Sequence, residues 1–171
     1  MFEIRRATPD DARIAFEIRR LAIRQQCVGA YSQQQMLDWT QGAAEDGYDT
    51  LMEKHFYLGC IEGEAVATGM LDLDYREIGA IFIRPDFMQR GLGRRVLVFL
   101  EDLARDLGLT EVCLDATLNA VDFYRRCGYV GEESAVYQSP SGLRLACVPM
   151  VKTLGEDQKI AAFGSSCTIP L

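Results

Sequence analysis

Between an apolar run that ends at Pro85 and an amphipathic stretch that follows lies Met88-Gln89-Arg90-Gly91-Leu92-Gly93-Arg94. Gly91 frees the backbone to turn tightly, and Gly93 lets it approach a ligand closely, because neither carries a Cβ. The helix expected next aims its unpaired N–H groups and the positive end of its dipole back at this loop. Arg90, Arg94 and Arg95 add full positive charges. A phosphate or pyrophosphate is the natural occupant of such a cradle. A Walker loop is excluded, since Arg94 and Arg95 stand where it needs Lys and then Ser or Thr. A dinucleotide-binding turn is excluded too: Val96 occupies the place of its third small residue, and no early βαβ unit precedes it. Beside the anion reading stands a plainer one, in which the glycines only end a strand and begin a helix.

The elements around the loop follow from periodicity. Phe2 to Arg6 alternates apolar and polar residues and predicts a strand. Thr8 then caps a helix with Pro9 at its first position and Asp10 and Asp11 in its first turn, its apolar face formed by Ile14, Ile18, Leu21 and Ala22. Ser32 announces a second helix, with Met36, Leu37 and Trp39 as its apolar surface, and a third is expected over 44–54. From Phe56 the period falls to two, predicting a hairpin that turns at Glu62-Gly63-Glu64. The near-continuous apolar run Glu77 to Pro85 predicts a strand buried on both faces. A long helix from Gly91 to Leu107, the strand "EVCLDA", the helix "LNAVDFYRRC" capped by Gly128, and a last hairpin from "YVGEESAVYQ" and "LRLACVPMVKTL" complete the order. That order is neither strictly alternating nor segregated, which rules out a doubly wound parallel sheet.

Composition limits the function. At 171 residues and 49% apolar side chains, length favours a single core and a single domain, here residues 1–154 with a tail over 155–171. No window reaches the roughly 18 to 20 apolar residues of a membrane span, and the first residues lack the apolar centre of a signal peptide, so a cytoplasmic protein without a membrane partner is expected. Six scattered cysteines (Cys27, Cys60, Cys113, Cys127, Cys147, Cys167) and one histidine, His55, suggest reduced thiols and no metal site. The formal charge of −7 disfavours nucleic acid and mildly favours a cationic substrate.

Residues 77–130 carry "EIGAIFIRP", "MQRGLG", "VLVFLEDLARDLGL", "EVCLDA" and "LNAVDFYRRCGY" in sequence. This series resembles the core of the GCN5-related N-acetyltransferase (GNAT) superfamily: a buried strand, Arg/Gln-x-x-Gly-x-Gly/Ala, a long helix, a strand and a segment like "LNAxxFYxxxGF". Each motif alone is weak, and the set in order is specific. The first 40 residues, with "IRRATPDDA", "AIR" and "YSQQQMLDW", are similar to a bacterial branch of small-molecule-type acetyltransferases. One departure stands out: Met88 occupies the place of the Arg or Gln, and Gln89 sits one residue late.

The resemblance implies an α+β, three-layer GNAT fold. Its mixed, mostly antiparallel sheet of six to seven strands is flanked by helices, with acetyl-CoA in a splay between the fourth and fifth strands. It implies acetyl transfer to a primary amine of a small molecule, or of a peptide or protein, and admits a homodimer; a non-catalytic acyl-CoA-binding module with the same fold is the alternative. By the same resemblance the backbone of Ile81, Phe82 and Ile83 contacts the pantetheine arm, and Gln89, Arg90, Gly91, Leu92, Gly93 and Arg94 hold the pyrophosphate. Asn119 bonds the arm, and Tyr124 donates a proton to the departing thiolate. Glu77, 14 residues before Gly91, matches the base of the histone-modifying branch, with Asp72, Asp74 or a water as alternatives. Without the resemblance, Asn119 reads as a helix cap, Tyr124 as a core aromatic and Glu77 as an exposed strand-end carboxylate. Acceptor recognition is expected from Tyr31 and Trp39, with His55 and Phe56 nearby; an aromatic wall with a carboxylate suits an amine.

Overall fold

The computed structural model of the chain describes residues 1–42, 47–139 and 142–155, and among these seven strands form one sheet. β1 (Phe2–Arg6), β2 (Phe56–Ile61), β3 (Glu64–Asp72), β4 (Glu77–Ile83), β5 (Glu111–Thr117), β6 (Ala135–Gln138) and β7 (Arg144–Thr153) lie in the order β1-β2-β3-β4-β5-β7-β6. Every neighbouring pair is antiparallel except β4 with β5. The helices are α1 (Ala12–Gln26), α2 (Gln33–Trp39), α3 (Tyr48–His55), α4 (Leu92–Asp106) and α5 (Val121–Arg126). This is the expected GNAT-type architecture, with seven strands. The start of the third helix expected at residue 44, and the tail from residue 156 onward, lie outside the described residues. Among the described residues no helix is long and apolar enough to cross a membrane.

Two apolar layers hold the sheet. On one face α4 buries Leu92, Val96, Leu97, Leu100 and Ala104 against a cluster containing Val66, Leu71, Ile78 and Leu114. It lies unusually close to β3: a Cβ at Gly69 would stand 2.6 Å from Val96 Cγ1 and 3.0 Å from Leu100 Cδ1. The missing side chain therefore sets the height of α4, and with it the loop at its start. On the other face Ala12, Ala15 and Ile18 of α1 pack with Met52, Phe56 and Leu58.

The apolar face of α1 differs from expectation. Its buried residues are Ala12, Ala15, Ile18, Ala22 and Ile23, whereas Ile14 and Leu21 are each 39% exposed. Alanines let the helix lie flat across β3 and β4, a role that hydrophobic weighting of the larger residues overlooks. Leu37 of α2 is likewise exposed.

The last hairpin is shorter than its sequence suggests. β6 pairs with β7 only from Ala135↔Cys147 to Gln138↔Arg144. Val151 exchanges both backbone bonds with Val130, so Pro149, two residues earlier, faces the same edge without an N–H to offer. The ladder is interrupted there, and Gly131 passes tightly over the Pro149 carbonyl.

The expectation of six reduced thiols also needs correcting. Cys27, Cys60, Cys127 and Cys147 are free, but Cys113 is disulfide-bonded; spacing along a chain does not determine which sulfurs meet in space.

Candidate active site

The parallel neighbours β4 and β5 share a single register pair, Glu77↔Cys113, reinforced by Cys113 N–H to the Arg76 carbonyl at 2.9 Å. Beyond it β5 follows β7 as far as Thr117, while β4 follows β3 to Ile83. The two strands part and leave the sheet open. A bulge in β4 accompanies the opening: the register passes from Thr68↔Phe82 to Met70↔Gly79, and Ala80 adopts a left-handed φ of 49°. Thr68 Oγ1 donates to the Ala80 carbonyl at 2.6 Å and fixes the bend. The apolar run of β4 is therefore not buried on both faces; Gly79, Ala80, Ile81 and Phe82 are half-buried because they line a cavity of ≈ 360 Å³.

The loop at the start of α4 lies at the open end of this splay. Gln89 (φ 62°) and Gly91 (φ 74°) are left-handed, and Gly91 is the N-cap of α4. The N–H groups of Leu92, Gly93 and Arg94 occupy the first turn, where no intrahelical acceptor exists. Leu92 buries its side chain in the core and has only its backbone to offer. Arg90 lies over the Phe87 ring at 4.8 Å, and Arg94 is exposed. Arg95 does not join them: it donates to the Phe2 carbonyl and stacks on the Phe2 ring, so the loop carries two arginines rather than three. Met88 packs its sulfur against Gln26 Nε2 at 3.1 Å, and the same amide donates to the Ile83 carbonyl at 3.2 Å. The substituted position thus ties α1 to β4.

Glu77, Ile81, Phe82, Asn119, Tyr124, Tyr31 and Trp39 all line the one cavity. Glu77 sits at the apex, where β4 and β5 still pair. It is 4% exposed, which overturns the reading of a solvated strand-end carboxylate. Burial, then the charges of Asp115 and Asp72, push its pKa up to about 8. Asp72 is 3.6 Å from His55 Nε2, and burial raises Asp115 as well.

Asn119 does not cap a helix with its side chain. It lies within a 3-10 turn, Leu118–Ala120, before α5, whose N-cap is Ala120. Its Oδ1 accepts from the Cys27 thiol at 3.5 Å, which leaves the amide N–H groups for another partner. Tyr124 stacks edge-on against Phe123 and Tyr129 at 5.1 and 5.6 Å. Tyr129 is itself held by Glu101, which pairs with Lys152 at 2.8 Å. Burial pushes the Tyr124 phenol well above its ordinary range and keeps it protonated near neutrality.

The far wall is built from α1, α2 and the last hairpin. Tyr31 donates to the Ala146 carbonyl at 2.5 Å, accepts from the Leu118 N–H at 3.1 Å, and packs edge-on against Trp39. These bonds make Tyr31 a strut between α2 and β7. Phe56 and His55 also line the cavity, as do three residues not singled out from sequence: Arg19, Asp115 and Tyr137. Only Arg19 had a legible signal. It lies four residues from both Ala15 and Ile23, on the stripe that α1 buries.

A family model described as the acetyltransferase (GNAT) family matches residues 19–129. Among solved structures, a GCN5-related N-acetyltransferase from Rhodopseudomonas palustris aligns with a TM-score of 0.80 at 26% identity, over 88% of this chain and 94% of that one. An N-acetyltransferase from Thermoplasma acidophilum, solved with coenzyme A, gives 0.74 at 16% identity over 90% and 99%. A Salmonella typhimurium protein described as an acetyltransferase, solved with its cofactor acetyl-CoA, gives 0.60 at 19% identity over 95% and 99%. The last two likenesses are to the fold alone.

Proposed function

The chain belongs to the acetyltransferase (GNAT) family and is an N-acetyltransferase; from that premise we propose that it moves an acetyl group from acetyl-CoA to a primary amine of a small molecule, by direct attack within a ternary complex. The observation that carries this reading is a buried carboxylate with a raised pKa, Glu77, in the same cavity as Asn119 and Tyr124.

Residues suited to hold the donor run along the splay. The loop Gln89 to Arg94 takes the pyrophosphate through backbone N–H groups, assisted by the positive end of α4. The Ile83 carbonyl already accepts from Gln26, so Ile81 and Phe82 supply the backbone contacts to the pantetheine arm, and the free amide N–H groups of Asn119 bond it from the β5 side.

Three proton movements remain. Glu77 takes a proton from the acceptor ammonium, and the neutral amine forms a new N–C bond at the thioester carbonyl. As the C–S bond breaks, Tyr124 gives its phenolic proton to the departing thiolate, and the second proton shed by the nitrogen as the amide forms restores the phenol. A buried, protonated phenol suits an acid, and a carboxylate with a pKa of about 8 suits a base working near neutrality. The charge balance at the apex of the splay, with Asp72 and Asp115 beside Glu77, favours a cation there.

The test is release of free CoA thiol from acetyl-CoA across a panel of primary amines, with the acetylated product identified by mass. Acceptor-dependent release is expected. Tight acetyl-CoA binding with no release on any amine would instead favour the non-catalytic acyl-CoA binder.

A further inference from the structure

We propose that the acceptor is a zwitterion: a primary amine whose molecule also carries an oxyanion, carboxylate or phosphonate, seated on Arg19 while the amine faces Glu77. The inference rests on the acetyl-transfer reading and narrows its substrate. Arg19 is the one Lys or Arg side chain that lines the cavity among the described residues. It is half-buried on α1, and among the described residues no carboxylate pairs with it. Its Nη2 donates to the Trp39 carbonyl at 2.8 Å, and its guanidinium lies 5.6 Å from the centre of the Phe16 ring. These contacts fix the fork in place and leave most of its donors unused.

A half-buried cation without a carboxylate partner is costly unless something completes it. The cavity's own carboxylates do not. Asp72 is drawn to His55, while Glu77 and Asp115 stand near the apex of the splay. Tyr137 lies between the two sets, within electrostatic reach of Arg19 and of Glu77 and Asp115. The cavity is therefore bipolar, with a cation at the helical wall and carboxylates at the sheet. A simple amine complements one pole only, whereas a zwitterion complements both. A guanidinium recognises a planar or tetrahedral oxyanion through paired hydrogen bonds, which a lysine cannot reproduce. Beside Arg19, the buried Tyr48 hydroxyl has no hydrogen-bond partner among the described residues.

The test uses matched acceptors with and without the oxyanion: phenylalanine and phenethylamine, methionine and 3-(methylthio)propylamine, and the aminophosphonate analogue of phenylalanine. Binding to the CoA-saturated protein is measured by calorimetry, and kcat/KM is measured with acetyl-CoA, for wild type, Arg19→Lys and Arg19→Met. Charge-assisted pairs support a preference of about 10- to 100-fold for the oxyanion-bearing member. Arg19→Met should reduce that preference to about twofold, Arg19→Lys should retain only part of it, and CoA affinity should not change in either. Carboxylate against phosphonate shows which oxyanion fits better. Arg19-dependent binding without acetylation would support the oxyanion seat and contradict the transfer reading. Acetylation of the plain amines as efficient as that of their partners, a preference that survives Arg19→Met, or no binding and no turnover for any compound, would each overturn the inference.

Discussion

Glu77→Gln is expected to lower kcat/KM by about 10²- to 10⁴-fold, the usual contribution of a positioned general base, while leaving acetyl-CoA affinity unchanged. The amide keeps the shape of the carboxylate at the apex of the splay but cannot accept the ammonium proton. The wild-type pH profile should carry the signature of the same group. Because the Glu77 pKa lies at about 8, kcat/KM should rise about tenfold per pH unit below that value and level off above it. Burial, then the charges of Asp115 and Asp72, holds the pKa high in the free enzyme, and Tyr137 and Arg19 face the same cavity. An ammonium bound beside the carboxylate stabilises its charged form, so the corresponding limb of kcat should lie at lower pH.

Stability provides an independent check on that variant. Folding raises the Glu77 pKa, so the native state binds more protons than the unfolded chain between the ordinary glutamate value of 4.5 and about 8. Wild-type stability from this group is therefore full below the lower value and falls as pH rises through the window. Glu77→Gln lacks that loss and should be more resistant to urea than wild type at pH 9, so reduced turnover there cannot be ascribed to unfolding. Activity in the variant within threefold of wild type, with an unchanged pH profile, would assign the base to another group.

Tyr124→Phe is expected to lower kcat by about 10- to 1,000-fold, a range that overlaps the lower part of a positioned acid's usual contribution, with little change in the dissociation constant for acetyl-CoA. The ring stays packed between Phe123 and Tyr129, and only the hydroxyl is lost. The deficit should depend on the leaving group. With an acetyl thioester whose thiolate is a weaker base, protonation matters less and the variant should approach wild type. Steady-state rates with the two donors measure this directly, and equal deficits on both would make Tyr124 a packing residue.

The parts legible in sequence were those whose determinants are local. Gly91 at a left-handed N-cap, the 3.6-residue pattern of α4, and the spacing of Asn119 and Tyr124 after β5 are each contained in a short segment. Glu77 was visible as a position, but its burial was not, since that depends on β5 and on the flanking carboxylates. The bulge at Ala80 has no sequence mark beyond two small residues, because its cause is the register against Thr68 on another strand. Arg95 adjoins the anion loop in sequence, but the ring and carbonyl of Phe2, 93 residues away, hold its side chain. Arg19 and Tyr137 come from opposite ends of the chain, so their meeting across the cavity is a property of the fold.

The most direct test of the account is calorimetric titration of acetyl-CoA into wild type and Gly93→Val at low and high salt. A Cβ at Gly93 would meet Ile83 Cγ1 and Phe123 Cζ at 3.8 Å, ordinary contact, so the variant should fold. Its two added methyl groups would stand where the first turn of α4 is proposed to receive phosphate oxygens. The expected result is wild-type binding in the micromolar range or tighter, weakened about 10- to 100-fold by the valine at both salt concentrations, in keeping with the loss of charge-assisted backbone hydrogen bonds. Charge removal at Arg90 or Arg94 should weaken binding less, and mainly at low salt, since both are exposed. A folded Gly93→Val protein that binds acetyl-CoA as tightly as wild type would contradict the placement of the pyrophosphate, and no binding by wild type at millimolar acetyl-CoA would contradict the account as a whole.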